Sequence, residues 1–437
     1  MKKLLLILTF LLVPAFAEKK TNIILIMADD LGYECLGANG SEYKTPNLDK
    51  LAAEGARFTN CFANPLCTPS RVKIMTGIYN VRNYIKFGVL PRKEITFAHQ
   101  LKKAGYATCI AGKWQLGKET DAPQHFGFDQ ACLWQHTRPR MNKEKLDTRF
   151  SNPQLEINGK EVNYTKGEFG PDVCTDFICD FMEKNKEKPF LVYYPMILTH
   201  CPFVPTPDSK EWNPKDFGSP TYKGDAKFFG DMTTYMDKVI GRIDKKLADL
   251  GIRDNTLLIF TGDNGTDKPV VTKMGDKTIK AGKGTMTENG TRVPMVISWP
   301  AKLKGGLVSE DLVDFADIMP TLCEVAGAPL PEVTENRAVQ TDGVSLVPAL
   351  LGQTREKPWI YIWYTGKVMA RNKTHGIVLT KDKQMFKYSG HYEKEEVKTP
   401  QSEYDQTAFK KLQAVIDKYA ATRAVKSEPK KKKKTKK

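Results

Sequence analysis

The chain is most easily placed by what it lacks. It has no CxxC pair and no Cys/His cluster, which sets aside a structural zinc site. No internal repeat runs through its 437 residues, so a solenoid or propeller is excluded. Its leader has too short an apolar run for a membrane span: Leu4 to Val13 is ten residues, against the ~20 a spanning helix needs. The lysine-rich end, "KSEPKKKKKTKK" from Lys426, carries no interleaved aromatics, which argues against single-stranded nucleic acid as a partner. Nine cysteines cannot all pair within one chain.

What is present is ordinary for a soluble globular protein, at 41% hydrophobic and 27% charged residues. The start, "MKKLLLILTFLLVPAFA", has the basic region, apolar run and Ala-x-Ala close of a signal peptide over residues 1–17. Export to the periplasm or beyond is therefore expected, with no stable membrane anchor. The formal charge of +16 is uneven: two leader lysines, and eight tail lysines against one glutamate, account for nine charges and leave +7 on the body. Residues 422–437 read as a disordered basic tail.

"TNIILIMADD" (21–30), "KPFLVYYPMILTH" (188–200), "NTLLIFTGDNG" (255–265) and "VPMVISWP" (293–300) are apolar runs of the kind that form strands buried on both faces. Between them lie helical patterns at "TPNLDKLAAEGARF" (45–58) and across 229–252, and a helix then a strand in "EITFAHQLKKAGYATCIAGKWQLG". This alternation predicts an α/β fold: a large doubly wound mixed sheet flanked by helices, over residues 18–353. "WIYIWY", "GIVLT" and "QMFKY" then predict a small antiparallel sheet with a helix near 405–421, in a subdomain spanning 354–421.

Ligands of open α/β sheets bind at the carboxyl ends of the strands. Asp29 and Asp30 end one run, Asp263 and Asn264 another. Parallel neighbours would bring all four to one edge, where unneutralised carboxylates repel unless a cation sits among them. Oxygen ligands select Ca2+, or less readily Mg2+. Arg71, Lys113, His200 and Lys283 each fall at a strand end or on a Gly-flanked loop, which suits attack on an anionic ester. Cys67 stands between Pro65 and Pro69 in "NPLCTPSR" and is expected on a loop. Three residues separate it from Arg71, too few for the phosphatase loop that holds a thiolate nucleophile.

"CTPSR" resembles the C-x-P-S-R signature of the sulfatase family, and the resemblance extends through "NIILIMADDLGY", "AGKWQLG", "NTLLIFTGDNG", "ENGTRVPMVISWP", "FADIMPTLCEVAG" and "DGVSLVPALLG" in the family's order. It covers about Asn22 to Gly352. The resemblance implies an alkaline-phosphatase-superfamily fold and an arylsulfatase-like hydrolase of sulfate esters. It implies that a maturation enzyme oxidises Cys67 to formylglycine, and that Asp29, Asp30, Asp263 and Asn264, with residue 67, hold the ion. Arg71 would help make the attacking oxygen anionic, Lys113 and Lys283 would bind sulfate, and His200 would protonate the departing alcohol. One departure stands out: Gln115 replaces the usual histidine of "GKWH". Glutamine cannot take a proton at neutral pH. His136 is a candidate substitute, and an inactive anion-ester-binding homologue is an alternative, as is a phosphodiester or phosphonate hydrolase of the same superfamily. "LWQHTRPRMNKEKLDTRF" (133–150) is basic and aromatic, which suits a sulfated glycan as well as a smaller sulfated substrate.

Overall fold

The computed structural model describes residues 19–335 and 337–423. The expected signal peptide and most of the lysine tail lie outside the described residues. In chain order the strands are β1 (Asn22–Ala28), β2 (Ala56–Phe62), β3 (Ala107–Lys113), β4 (Gln130–Trp134), β5 (Gln154–Ile157), β6 (Lys160–Asn163), β7 (Phe190–Pro195) and β8 (Thr256–Gly262). A hairpin of β9 (Val271–Met274) and β10 (Lys277–Lys280) precedes β11 (Arg292–Ser298) and β12 (Leu307–Asp314). Ten of these form one sheet in the order β12-β2-β11-β8-β1-β7-β3-β4-β5-β6.

At its centre β8, β1, β7, β3 and β4 run parallel. Every residue of β1, β7 and β8 is buried, because helices cover both faces. The side chains of β1 alternate between two cores: Ile23, Leu25 and Met27 enter one, Ile24, Ile26 and Ala28 the other. The long Phe229–Asp249 helix packs Met232, Met236, Val239 and Ile243 into the second core. None of the described helices is long and apolar enough to cross a membrane.

The small sheet is an antiparallel meander of β13 (Ile360–Tyr364), β14 (Lys367–Arg371), β15 (His375–Leu379), β16 (Lys383–Gly390) and β17 (Glu393–Glu396). The Glu403–Ala420 helix starts where the Ser402 hydroxyl accepts the Asp405 N–H, and it lays Phe409, Leu412 and Ile416 against Tyr361 and Ile377 of this sheet.

Two expectations are corrected. Residues 45–58 are not one helix: it runs Pro46–Glu54, breaks at Gly55, and Phe58 belongs to β2. Cys67 is not on a loop but is the first residue of the buried Cys67–Thr76 helix. Pro65 precedes that helix and Pro69 lies in its first turn, where the missing N–H has no intrahelical partner to lose.

Candidate active site

The chemistry-bearing residues meet at one rim of the sheet because of its topology. β1 and β8 are parallel neighbours with Ala28 opposite Gly262, so Asp29–Asp30 and Asp263–Asn264 emerge side by side. β3 ends on Lys113, and the chain leaving β7 reaches His200. The chain leaving β2 reaches Cys67, and Lys283 lies on the approach to β11. Close backbone crossings at this rim require glycine. A Cβ on Gly262 would lie 2.0 Å from the Leu31 carbonyl oxygen, and one on Gly112 would lie 2.1 Å from that of Pro195.

All the residues nominated as metal ligands or catalytic groups, though not His136, are brought into this cluster. Asp29 Oδ2 accepts from Lys113 Nζ at 2.7 Å, and its Oδ1 faces Arg71 at 3.6 Å. Asp30 Oδ2 pairs with Lys283, and its Oδ1 accepts from Asn264 Nδ2 at 2.8 Å. Asp263 Oδ1 accepts the Asp30 N–H at 2.9 Å while Oδ2 accepts from Arg71 at 3.2 Å. Cys67 Sγ lies 3.8 Å from Asp30 Oδ1. Asp30 holds φ of 61°, a left-handed conformation uncommon outside glycine, asparagine and aspartate.

The expectation of carboxylates without neutralising partners is therefore corrected: Arg71, Lys113 and Lys283 stand among Asp29, Asp30 and Asp263. The case for a cation rests instead on atoms left over. Asp29 Oδ1 and Asn264 Oδ1 are buried with no hydrogen-bond partner, an arrangement that costs about 1–3 kcal/mol each unless something is supplied. The ligand atoms of Asp29, Asp30, Cys67 and His200 all lie within 4.8 Å of one another, a grouping that includes His200. Both oxygens of Asp263 and both of Asp30 have partners within the protein.

Burial raises the proton affinity of Asp30 and Asp263, and their mutual repulsion with Asp29 adds to it. Burial would raise Asp29 too, yet Lys113, His200, Arg71 and Lys283 hold it well below the usual range. Burial pushes the Cys67 thiol well up, which disfavours a plain thiolate nucleophile. Burial, aided by Lys283, also pushes His200 well below its ordinary value.

A cavity of about 460 Å³ opens above this cluster. Cys67, Lys113, Gln115, His200 and Lys283 line it, and Phe87, Arg140 and Tyr222 stand toward solvent. Phe87 and Tyr222 are 48% and 47% exposed, so aromatic surface flanks a cationic floor. Arg140 lies over the Tyr222 ring at 4.3 Å.

Sequence reasoning missed Arg149. Its guanidinium donates to Asp147 at 2.9 and 2.8 Å, lies 3.9 Å over the Trp134 ring and reaches His200 Nδ1 at 2.9 Å. The "LDTRF" segment showed charge, but nothing in it pointed to a histidine 51 positions on. His136 is excluded as a substitute base by its ties: Nε2 meets the Glu119 carbonyl at 2.8 Å and Nδ1 the Glu156 carboxylate at 3.3 Å. It is buried, not an exposed loop residue. Gln115 itself lines the cavity, with Oε1 3.4 Å from the Thr68 hydroxyl.

Residues 21–328 match the sulfatase family model, and residues 281–432 match the C-terminal model of N-sulphoglucosamine sulphohydrolase. Human arylsulfatase A is 33% identical over 388 residues, covering 79% of this chain and 71% of that protein. Mouse N-acetylgalactosamine-6-sulfatase is 32% identical, covering 84% and 73%. The crystal structure of Ps i-CgsB in complex with k-i-k-neocarrahexaose superposes with a TM-score of 0.74 at 26% identity, covering 93% of this chain and 94% of that one. The chain belongs to the sulfatase family and is a sulfuric ester hydrolase.

Proposed function

We propose that the protein is an exported enzyme, periplasmic or secreted, that hydrolyses sulfate esters of aryl or carbohydrate compounds with a formylglycine made from Cys67 and a bound Ca2+. The observation that carries this reading is the convergence of Cys67, Lys113, His200 and Lys283 on one cavity, with buried Arg71 beside Asp29 and Asp263, above oxygen ligands of which two have no hydrogen-bond partner.

The donors fit a hard cation. Asp29, Asp30, Asp263, Asn264 and residue 67 would hold it. Such an ion supplies positive charge that polarises an ester oxygen. Oxidised and hydrated, residue 67 supplies one hydroxyl to attack sulfur and a second whose collapse releases sulfate.

The chain's other residues complete the chemistry. Arg71 donates to the Lys113 carbonyl at 3.0 Å and to Asp263, which fixes its charge beside residue 67. Were an ion to engage Asp29 and Asp30, the Lys113 and Lys283 ammonium groups that now pair with them would be left to bind the sulfate oxygens and oppose the charge that builds up there. His200 Nδ1 meets both the Arg149 guanidinium and the Cys201 carbonyl, while Nε2 lies 3.3 Å from Lys283 Nζ and 3.5 Å from Asp30 Oδ2. A sulfate ester brings negative charge against that ring and raises its proton affinity. Substrate arrival thus equips His200 to protonate the departing alcohol. Gln115 offers no base for the second stage, so either another group serves as base, or that stage is slow, or turnover is lost.

The test is production in a host that carries a formylglycine-generating enzyme, followed by mass spectrometry of the Cys67 peptide and a sulfate-release assay. Formylglycine together with release of sulfate from an aryl sulfate is expected. A thiol throughout, with ester binding and no turnover, would leave only a binding protein. Faster cleavage of an aryl phosphate diester than of the aryl sulfate would move the activity to phosphorus.

A further inference from the structure

Next to the reaction cavity lies a second one, also about 460 Å³, which no part of the proposed chemistry uses. The two share Trp134 and Gln135, the last residue of β4 and the first beyond it. A molecule seated over Cys67 therefore has a direct neighbour position. Gln135 holds φ of 57°, so the chain turns sharply between the two cavities in a conformation that a non-glycine residue adopts at some cost.

The lining of the second cavity speaks to its occupant. Two cations, Arg138 and Lys143, are matched by two acids, Glu144 and Glu161, so the site has no net preference for an anion. Arg138 is already committed, at 2.7 Å to Asn163 and 3.6 Å to Glu161. What remains is a set of amides and hydroxyls beside the Trp134 ring and Pro139. Within it Asn142 Nδ2 is buried without a partner, while Asn142 Oδ1 is occupied by the Leu146 N–H at 2.9 Å. Arg140, on the reaction-cavity side, is held by Asp147 at 3.6 Å. An unpaired buried donor in a neutral, amide-rich cavity matches a hydroxylated ring, which offers both donors and acceptors and one apolar face.

We infer that the second cavity, formed by the 134–148 segment and β5–β6, is a subsite for an unsulfated sugar ring joined to the sugar whose sulfate is cleaved. The substrate is then a sulfated oligosaccharide of two rings or more. This rests on the proposed hydrolase reading and adds a chain-length requirement to it.

The experiment compares kcat/KM on 4-nitrophenyl sulfate, on sulfated monosaccharides, and on di- to hexasaccharide ladders prepared from carrageenan and from chondroitin sulfate. In parallel, binding of the same compounds to the Cys67→Ala protein is measured by calorimetry, which needs no turnover. A gain of about tenfold or more from mono- to disaccharide is expected in at least one ladder, in rate and in affinity. Asn142→Asp keeps the acceptor used by Leu146 and replaces the unpaired donor, and it should cut that gain severalfold. Gln154→Leu, on the opposite wall, should do the same. Turnover of 4-nitrophenyl sulfate with no gain along any ladder would overturn the subsite and leave the hydrolase standing. A gain that both variants retain would also overturn it. Absence of sulfate release from every compound would instead strike the hydrolase reading, and the calorimetric ladder would still decide the subsite.

Discussion

Two clusters of buried charge lie on either side of one helix. From Cys67–Thr76, Arg71 reaches the acids at the strand ends, while Lys73, two residues on, reaches Asp314 at 2.7 Å. The second cluster adds Asp317, which binds Arg355 at 2.5 Å and Lys357 at 2.9 Å. Its atoms are all spoken for. Lys73 also donates to the Tyr361 carbonyl, Arg355 to those of Ser345, Leu312 and Val344, and Asp317 accepts the N–H groups of Asp314 and Val344. Burial would raise the Asp317 carboxyl, but Lys357 and Arg355 hold it below its ordinary value. In the first cluster burial wins at Asp30 and Asp263, and two oxygens stay unpartnered. Buried charge alone therefore does not mark a site. An incomplete hydrogen-bond shell beneath a cavity does, and the complete shell between the main body and the small sheet is a joint.

The sharpest way to break this contrast is Cys67→Ala. Alanine is well accepted at a first helical position, so the unfolding midpoint should move by no more than about 3 °C. Sulfate release should fall below detection. Substantial residual hydrolysis would mean that the strand-end cluster is not where the ester is cut.

Asp317→Asn should do the opposite. It leaves Arg355 and Lys357 buried beside a neutral amide, and breaking a buried pair of this kind costs about 3–5 kcal/mol. Urea unfolding would register the loss, while turnover per folded molecule should stay within about twofold. A stable variant with impaired turnover would erase the distinction between the two clusters.

Calcium should separate the clusters more gently. At a free concentration a hundredfold above its dissociation constant, an ion that binds only the folded state adds about 2.7 kcal/mol. Thermal unfolding should therefore shift upward on calcium addition in the parent protein and in Asp317→Asn. The shift should vanish in Asn264→Leu, which removes one of the two unpartnered oxygens. Equal shifts in all three would place the ion elsewhere.

Much of this was legible in the amino-acid order because the central strands are buried on both faces and read as unbroken apolar runs. β1, β7, β8 and β11 were found that way, and the acids at their ends followed. β2 was absorbed into a helical pattern because Leu48, Leu51 and Ala52 lead smoothly to Phe58, with only Gly55 to mark the break. β12, "LVSEDLVD", and β17, "EKEE", sit at sheet edges where solvent permits charge and hides the strand period. The loop assignment for Cys67 failed because proline is compatible with the start of a helix as well as with irregular chain. Arg149 and the whole Asp314–Asp317 joint were invisible for a different reason. Arg149 lies 51 positions from His200, and Asp317 lies 38 and 40 from Arg355 and Lys357, so no local spacing encodes these contacts.

The smallest expected effect concerns Gln115, the position where the floor of the cavity departs from the family pattern. Its backbone holds φ of 51°, a left-handed conformation in which histidine is enriched, so Gln115→His requires no change of chain path. The Thr68 hydroxyl, 3.4 Å from Gln115 Oε1, remains able to orient an imidazole there. A positioned base can contribute 10²–10⁴-fold, but one introduced without its own supporting contacts should yield on the order of tenfold. If release of sulfate is the slow stage, Gln115→His should raise steady-state turnover of an aryl sulfate and shrink any pre-steady-state burst of aryl alcohol. An unchanged rate with an unchanged burst would show that the cluster already holds a base of its own. His200 would then be the group to test, since the ring that protonates the alcohol is left able to take a proton back.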